Sequence, residues 1–189
     1  MAAGFECCMY CGDSFATDID HHEPIKRNPL RAFDWLNHLL ACSRCNSHYK
    51  GEQFPVDERG EPLLIDPTAE DPFDHLTLAL STGVFTALTR KGEVTNEVCG
   101  LNVDRRPSAR VHAREQVIAS LERWAAASAR DDVHGRDVAV RTIRDQPFAA
   151  VCQAMLRQAD RSGAEIVFEG TPAVLPLLRD PELRAALLR

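Results

Sequence analysis

The sequence predicts an α+β chain in which a small N-terminal module, tied together by four thiolates, precedes a mostly helical C-terminal region. Three observations carry this expectation. Two Cys-x-x-Cys pairs, Cys8/Cys11 and Cys42/Cys45, flank a short segment. Beyond them, the stretch from Phe54 to Phe73 is rich in Pro, Asp and Glu, and its prolines forbid long regular elements. From Pro107 onward the apolar residues Val111, Val117, Ile118, Leu121 and Trp124 recur at helical spacing.

The cysteines come first because they decide the module. One Cys-x-x-Cys is compatible with a redox pair, whereas two such pairs supply the four ligands of a tetrahedral zinc site. The two-residue spacer lets both sulfurs of a knuckle turn toward one ion. A structural Zn²⁺ on Cys8, Cys11, Cys42 and Cys45 then replaces the hydrophobic core that this segment lacks. Cys7 adjoins Cys8, but only Cys8 has a partner at the knuckle spacing. Cys99 and Cys152 lie far apart in apolar surroundings and read as buried small hydrophobes.

In chain order, short strands are expected near Thr17–Asp20 and Leu39–Ala41, with a helix near Arg44–Lys50. After the connector, Leu76–Leu80 and Val84–Thr89 read as strands, the second leading into a turn at Lys91-Gly92. A long helix runs from Pro107 to about Ala129, another from Gln146 to Ser162, then a short strand over Glu165–Glu169 and a last helix over Pro181–Leu188. The expected division is a zinc-bound module over residues 1–60, a connector with short strands over 61–104, and a helical region over 105–189.

At 189 residues the chain is long enough to bury a real core. No long apolar run and no signal-like N-terminus is present, so a cytoplasmic protein without membrane segments is expected. The net charge of −6 argues mildly against a polyanionic partner. Its distribution is uneven, with two basic and eight acidic side chains over residues 61–104 but fourteen and eleven over 105–189. Arg106, Arg110 and Arg114 recur every four residues and share one helix face, so this face is a candidate phosphate-binding strip, set against the ordinary reading of a solvated surface.

The segment between and after the knuckles carries the chemistry. It reads Thr-Asp-Ile-Asp-His-His-Glu-Pro from Thr17, and Trp-Leu-Asn-His-Leu-Leu-Ala-Cys-Ser-Arg-Cys-Asn-Ser-His-Tyr-Lys-Gly from Trp35 to Gly51. This resembles the HNH endonucleases, the ββα-metal or treble-clef nucleases, whose pattern is Asp-His-x-x-Pro, Asn-x-x-x-x-Cys-x-x-Cys-Asn, then a basic residue and Gly. The resemblance implies a zinc-stabilised ββα-metal nuclease module that hydrolyses DNA phosphodiester bonds. An imidazole is suited to deprotonating water near neutral pH, which makes His21 the candidate base. A hard divalent cation, Mg²⁺ or Mn²⁺, stabilises the charge that develops on the phosphate, and oxygen donors suit it, so Asp20 and Asn46 are the candidate ligands. Asn37, the middle residue of the family signature, is expected to tie down the long loop after the first strand. Lys50, one turn after Asn46, is a candidate phosphate contact.

One ambiguity concerns register. Strict strand alternation groups Asp18, Asp20 and His22 on one face, while the family pattern selects His21. A second concerns class, because a non-catalytic treble-clef adaptor that binds nucleic acid or protein uses the same four thiolates. The presence of Asp20, His21 and Asn46 together favours the enzyme. Farther along, Leu-Leu-Ile-Asp-Pro from Leu63, Asp-Pro-x-x-His-Leu from Asp71, and Gly100-Leu-Asn102 are similar to segments of HNH proteins of bacterial anti-phage systems. These include the nuclease subunits of Septu-type and retron systems. That likeness covers about the first 130 residues and implies an ATPase or another defence-system subunit as partner.

Overall fold

The first hairpin is built from two four-residue strands, β1 (Asp18–His21) and β2 (His38–Ala41), paired antiparallel with Asp18 opposite Ala41 and His21 opposite His38. Leu39 and Ala41 are fully buried on the inner face, and Asp20 lies across from Leu39 on that same face. A computed structural model of the chain describes residues 6–13 and 15–188. Residues 1–5, where no leader is expected, lie outside the described residues. Between β1 and β2 the chain makes a long excursion through two 3₁₀ turns, Pro29–Phe33 and Trp35–Asn37. After β2 it winds into a π-helix over Arg44–Lys50 that packs back on β1. Gly51, at φ 49°, ends this helix in a conformation that a side chain resists.

A second antiparallel hairpin follows, β3 (Leu76–Ala79) with β4 (Val84–Ala87), whose Leu76, Leu78 and Phe85 point into the core. Helices then take over: α1 (Arg90–Val98), α2 (Arg106–Ser128), α3 (Val133–Asp145), α4 (Ala150–Ala159), a single turn α5 (Ala164–Val167), α6 (Val174–Arg179) and α7 (Pro181–Leu187). The long helix α2 buries Val117, Leu121 and Trp124 of the expected stripe and adds Ala113, Ser120 and Ala127. Val117 and Leu121 are fully enclosed, a burial that stabilises by roughly 1.5–3 kcal/mol each. The core is continuous from Cys8, Cys11 and Cys45 through Leu78, Phe85 and Leu121 to Phe168 and Leu187, so the cysteine cluster and the helical region share one interior. Among the described residues no helix is long and apolar enough to cross a membrane.

Several local expectations are corrected. Lys91-Gly92 is no turn but the first turn of α1. Thr89 caps this helix by accepting from the Gly92 N–H at 3.2 Å, and a Cβ at Gly92 would stand 2.0 Å from the His75 carbonyl oxygen. Glu165–Glu169 is not a strand: Ala164 and Phe168, four apart, are both buried while Ile166 is exposed, which is helical spacing. The helix expected over Gln146–Ser162 is shorter at both ends: Pro147 and the positive φ of Phe148 (61°) delay its start to Ala150, and it ends at Ala159, with Asp160 as its C-cap. Helices α3 and α6 are additions. Asp132 caps α3 by accepting from the Gly135 N–H at 2.8 Å, and Ala139, Val140 and Ile143 form its short inner face.

Candidate active site and metal centre

The four sulfurs of Cys8, Cys11, Cys42 and Cys45 lie within 4.8 Å of one another, with Cys11 and Cys42 Sγ 3.9 Å apart. Thiolates bound at 2.3 Å around one tetrahedral ion stand about 3.8 Å apart, so spacing and donor chemistry both fit a zinc-type cation. Two hydrogen bonds help to set the first knuckle, Cys8 N–H to the Asp13 carbonyl and Gly12 N–H to the Cys8 carbonyl, while the Met9 N–H donates to Leu40 on β2.

Arg106 closes this cluster from the helical side. Its guanidinium donates to Cys45 Sγ at 3.2 Å and to the carbonyls of Cys99 (2.7 Å) and Gly100 (2.5 Å), stacked 4.9 Å from the Tyr49 ring. Arg110, one turn on, donates to Gly83 (2.8 Å) and Leu101 (2.5 Å) with its guanidinium 4.4 Å from the Phe85 ring, and burial pulls it down to about 10. Both arginines are buried and Arg114 is half-buried. The expected phosphate-binding strip is therefore corrected at Arg106 and Arg110: the face they share is the buried face of α2, and their donors are consumed by protein acceptors.

Asp20, His21 and Asn46 line one open groove of about 520 Å³, walled also by Ile25, Lys26 and Ser47. β1 delivers the first two and the π-helix the third. Asp20 is buried, and its Oδ2 accepts a hydrogen bond from the Tyr10 hydroxyl and pairs with Lys50 Nζ at 2.9 Å. Burial and the Asp20 carboxylate push the Tyr10 phenol far above its ordinary value, so it remains a donor. Lys50 is fully buried and also donates to the His21 carbonyl at 3.0 Å and the Gly51 carbonyl at 3.2 Å. It is thus no phosphate contact, a second correction: its ammonium ties the strand to the helix beneath the groove.

Asn37 is fully buried and fastens the excursion between the strands. Its Oδ1 accepts from the Glu23 N–H at 2.8 Å, its Nδ2 donates to the Glu23 and Arg31 carbonyls at 3.1 Å each, and its own carbonyl accepts from the His22 N–H. His21 packs against His38 with ring centroids 4.7 Å apart, and the His38 Nδ1 meets the Asp34 carbonyl at 2.8 Å. His22 faces the other way, buried against the Phe54 ring, and desolvation lowers its pKa so that it stays neutral. Alternation therefore does place His22 on the inner side with Asp20, but the groove opens on His21.

Sequence reasoning did not single out Tyr10, nor Asp18, whose Oδ2 accepts from Asn46 Nδ2 at 3.2 Å. The alternation of Asp18 with Asp20 was the available signal for the latter. Nothing in the chain order marks Tyr10 as a partner of Asp20.

No solved structure matches the chain. The Septu protein PtuB of Bacillus mycoides (strain KBAB4) is 34% identical over 85 residues, a match that covers 38% of this chain and 28% of that relative. The chain therefore matches less than a third of the relative's length. Residues 8–52, which hold the four cysteines, Asp20, His21, Asn37 and Asn46, match the HNH endonuclease family, and this segment is an HNH domain.

Proposed function

We propose that the chain is a metal-dependent HNH endonuclease that hydrolyses DNA phosphodiester bonds, with a treble-clef ββα-metal module held by one structural zinc. We further propose that it serves bacterial anti-phage defence beside an ATPase or another subunit, a role suggested by its similarity to the Septu protein. The observation that carries the reading is the convergence of Asp20, His21 and Asn46 on one groove, within the segment that matches the HNH family.

The residues divide the work by their chemistry. His21 accepts the proton of the attacking water, and its packing on His38 and the Lys50 hydrogen bond to its carbonyl hold the ring at the groove. Asp20, Asn46 and Asp18 offer the oxygen donors for Mg²⁺ or Mn²⁺, and such an ion supplies Lewis-acid stabilisation of the scissile phosphate when bound. Tyr10 and Lys50 hold the Asp20 carboxylate in a fixed direction. Asn37 orients the groove without reaching it, by fixing the loop that leads away from His21.

The buried Lys50–Asp20 pair is the one observation that favours the alternative, a non-catalytic zinc adaptor, because it gives Asp20 a structural duty. It leaves His21 and Asn46 at the groove without an explanation. The deciding experiment incubates plasmid DNA with the protein and a panel of divalent ions. His21→Ala is expected to lose at least about a hundredfold in rate with an unchanged melting temperature, and His22→Ala to stay active. Asp20 is best tested as Asn, because Asp20→Ala strands a buried ammonium at a cost of about 3–5 kcal/mol and confounds catalysis with folding. Wild-type activity in both His21→Ala and Asp20→Asn would return the module to the adaptor reading.

A further inference from the structure

We propose that the excursion between β1 and β2 is a stacking platform for an unpaired nucleobase beside the groove, so that the substrate is single-stranded or locally unstacked DNA. This rests on the nuclease reading above and adds the form of the substrate. Leu30, Phe33 and Trp35 are 83%, 90% and 81% exposed, and Leu36 beside them is exposed as well. Large apolar side chains exposed together in this way mark a binding surface. The platform is rigid where it must be: Asn37 clamps its end, and Asp34 accepts from the Leu36 N–H at 3.0 Å to fix the turn that presents Trp35.

Position and charge choose the occupant. Trp35 lies 6.5 Å from the His38 ring, which in turn lies 4.7 Å from His21, and half-exposed Ile25 continues the surface into the groove wall. The same excursion carries Lys26, Arg27 and Arg31 against Glu23 and Asp34, a local excess of cations in a chain whose net charge is −6, and the cations rest in ion pairs with Glu52, Glu23 and Asp34. A protein-docking patch is depleted of Lys at its core, whereas cations that include Lys26, interleaved with exposed aromatics, are the composition that grips a strand's phosphates and stacks its bases. The ion pairs of Arg27 and Arg31 with Glu23, at 3.6 Å each, are partly exposed, so exchanging them for phosphate costs little.

The test measures binding rather than cleavage, on full-length His21→Ala protein without added divalent ion. Trp124 is buried in the core, so changes in iodide-accessible tryptophan emission report Trp35. Probes are a 20-nucleotide oligothymidylate, a perfect 20-base-pair duplex and the same duplex with a central unpaired bubble. The single strand and the bubble are expected to quench Trp35 and shield it from iodide, with the perfect duplex bound at least about fivefold more weakly. The double variant Phe33→Ala/Trp35→Ala should lose at least about tenfold in single-strand affinity with its circular dichroism unchanged, while Trp35→Phe retains binding. Strand binding that leaves Trp35 emission and iodide access unchanged overturns the platform. So does a double variant that binds the single strand as tightly as its parent, and one that converts a dimer to a monomer at unchanged affinity assigns the patch to a protein interface. Failed plasmid cleavage alongside intact Trp35 quenching counts against the nuclease reading alone, since the quenching itself supports the platform.

Discussion

The β1–β2 excursion gathers three cationic side chains within a short stretch and the start of α2 buries two, and the fold puts them to opposite uses. Lys26, Arg27 and Arg31 sit on an irregular loop, partly or well exposed, in ion pairs with Glu52, Glu23 and Asp34, with Arg27 also over the Phe54 ring. Arg106 and Arg110 sit on a regular helix, one turn apart, and spend their donors inside the protein on Cys45 Sγ and on four backbone carbonyls. Periodicity says which residues share a helix face. It does not say whether that face looks at solvent, and here the arginine-bearing face looks inward because the carbonyls around Gly83 and Cys99–Leu101 need donors.

The sharpest test falls on the cysteine cluster on which Arg106 rests. Cys42→Ser is expected to release the metal and unfold the module, since structural zinc sites contribute about 10–16 kcal/mol of apparent binding energy to folding. Elemental analysis and a thermal melt read the outcome. Loss of metal with an unchanged melting transition would mean that packing on the helical region, through contacts such as Arg106 on Cys45, supports the module unaided.

Next in size is Arg110→Ala. It leaves the buried Gly83 and Leu101 carbonyls without their donor, at about 1–3 kcal/mol each, and should lower the denaturant midpoint accordingly. The salt dependence of DNA binding should not move. A stable variant with weakened DNA binding would restore the solvent-facing strip that the helical spacing suggested.

What the sequence made legible follows from how local each constraint is. The knuckle spacing and the Asp-His, Asn and Cys-x-x-Cys-Asn series are short-range, so Cys8, Cys11, Cys42, Cys45, Asp20, His21 and Asn46 were all nameable, and the structure brings them into one cluster and one groove. The two hairpins and α2 were legible for the same reason, through strand alternation and a long apolar stripe. Lys50, Arg106 and Arg110 were misread because their partners are far away in the chain: Lys50 meets Asp20 and His21 across the hairpin, and Arg106 meets Cys45 across the connector. A buried cation and an exposed one have the same letter. Helix α3 escaped because its inner face is only Ala139, Val140 and Ile143, too narrow a stripe to register without knowing that α2 lies against it.

The smallest effect probes the loop side of the comparison. Arg27→Ala/Arg31→Ala removes two partly exposed cations whose ion pairs with Glu23 contribute at most about 1 kcal/mol each, so the melting temperature should hardly move. If both meet phosphate when DNA binds, the slope of log K against log salt should flatten by about 1.4 on a single strand and about 1.8 on a duplex. The loss should be alike for all sequences, because phosphate contacts carry no base information. A flattened slope for this pair, beside an unmoved slope for Arg110→Ala, would divide the arginines into those that hold the protein and those that hold the nucleic acid. An unmoved slope for both would leave Lys26 and the aromatic platform to carry the interaction, with stacking rather than charge as its main component.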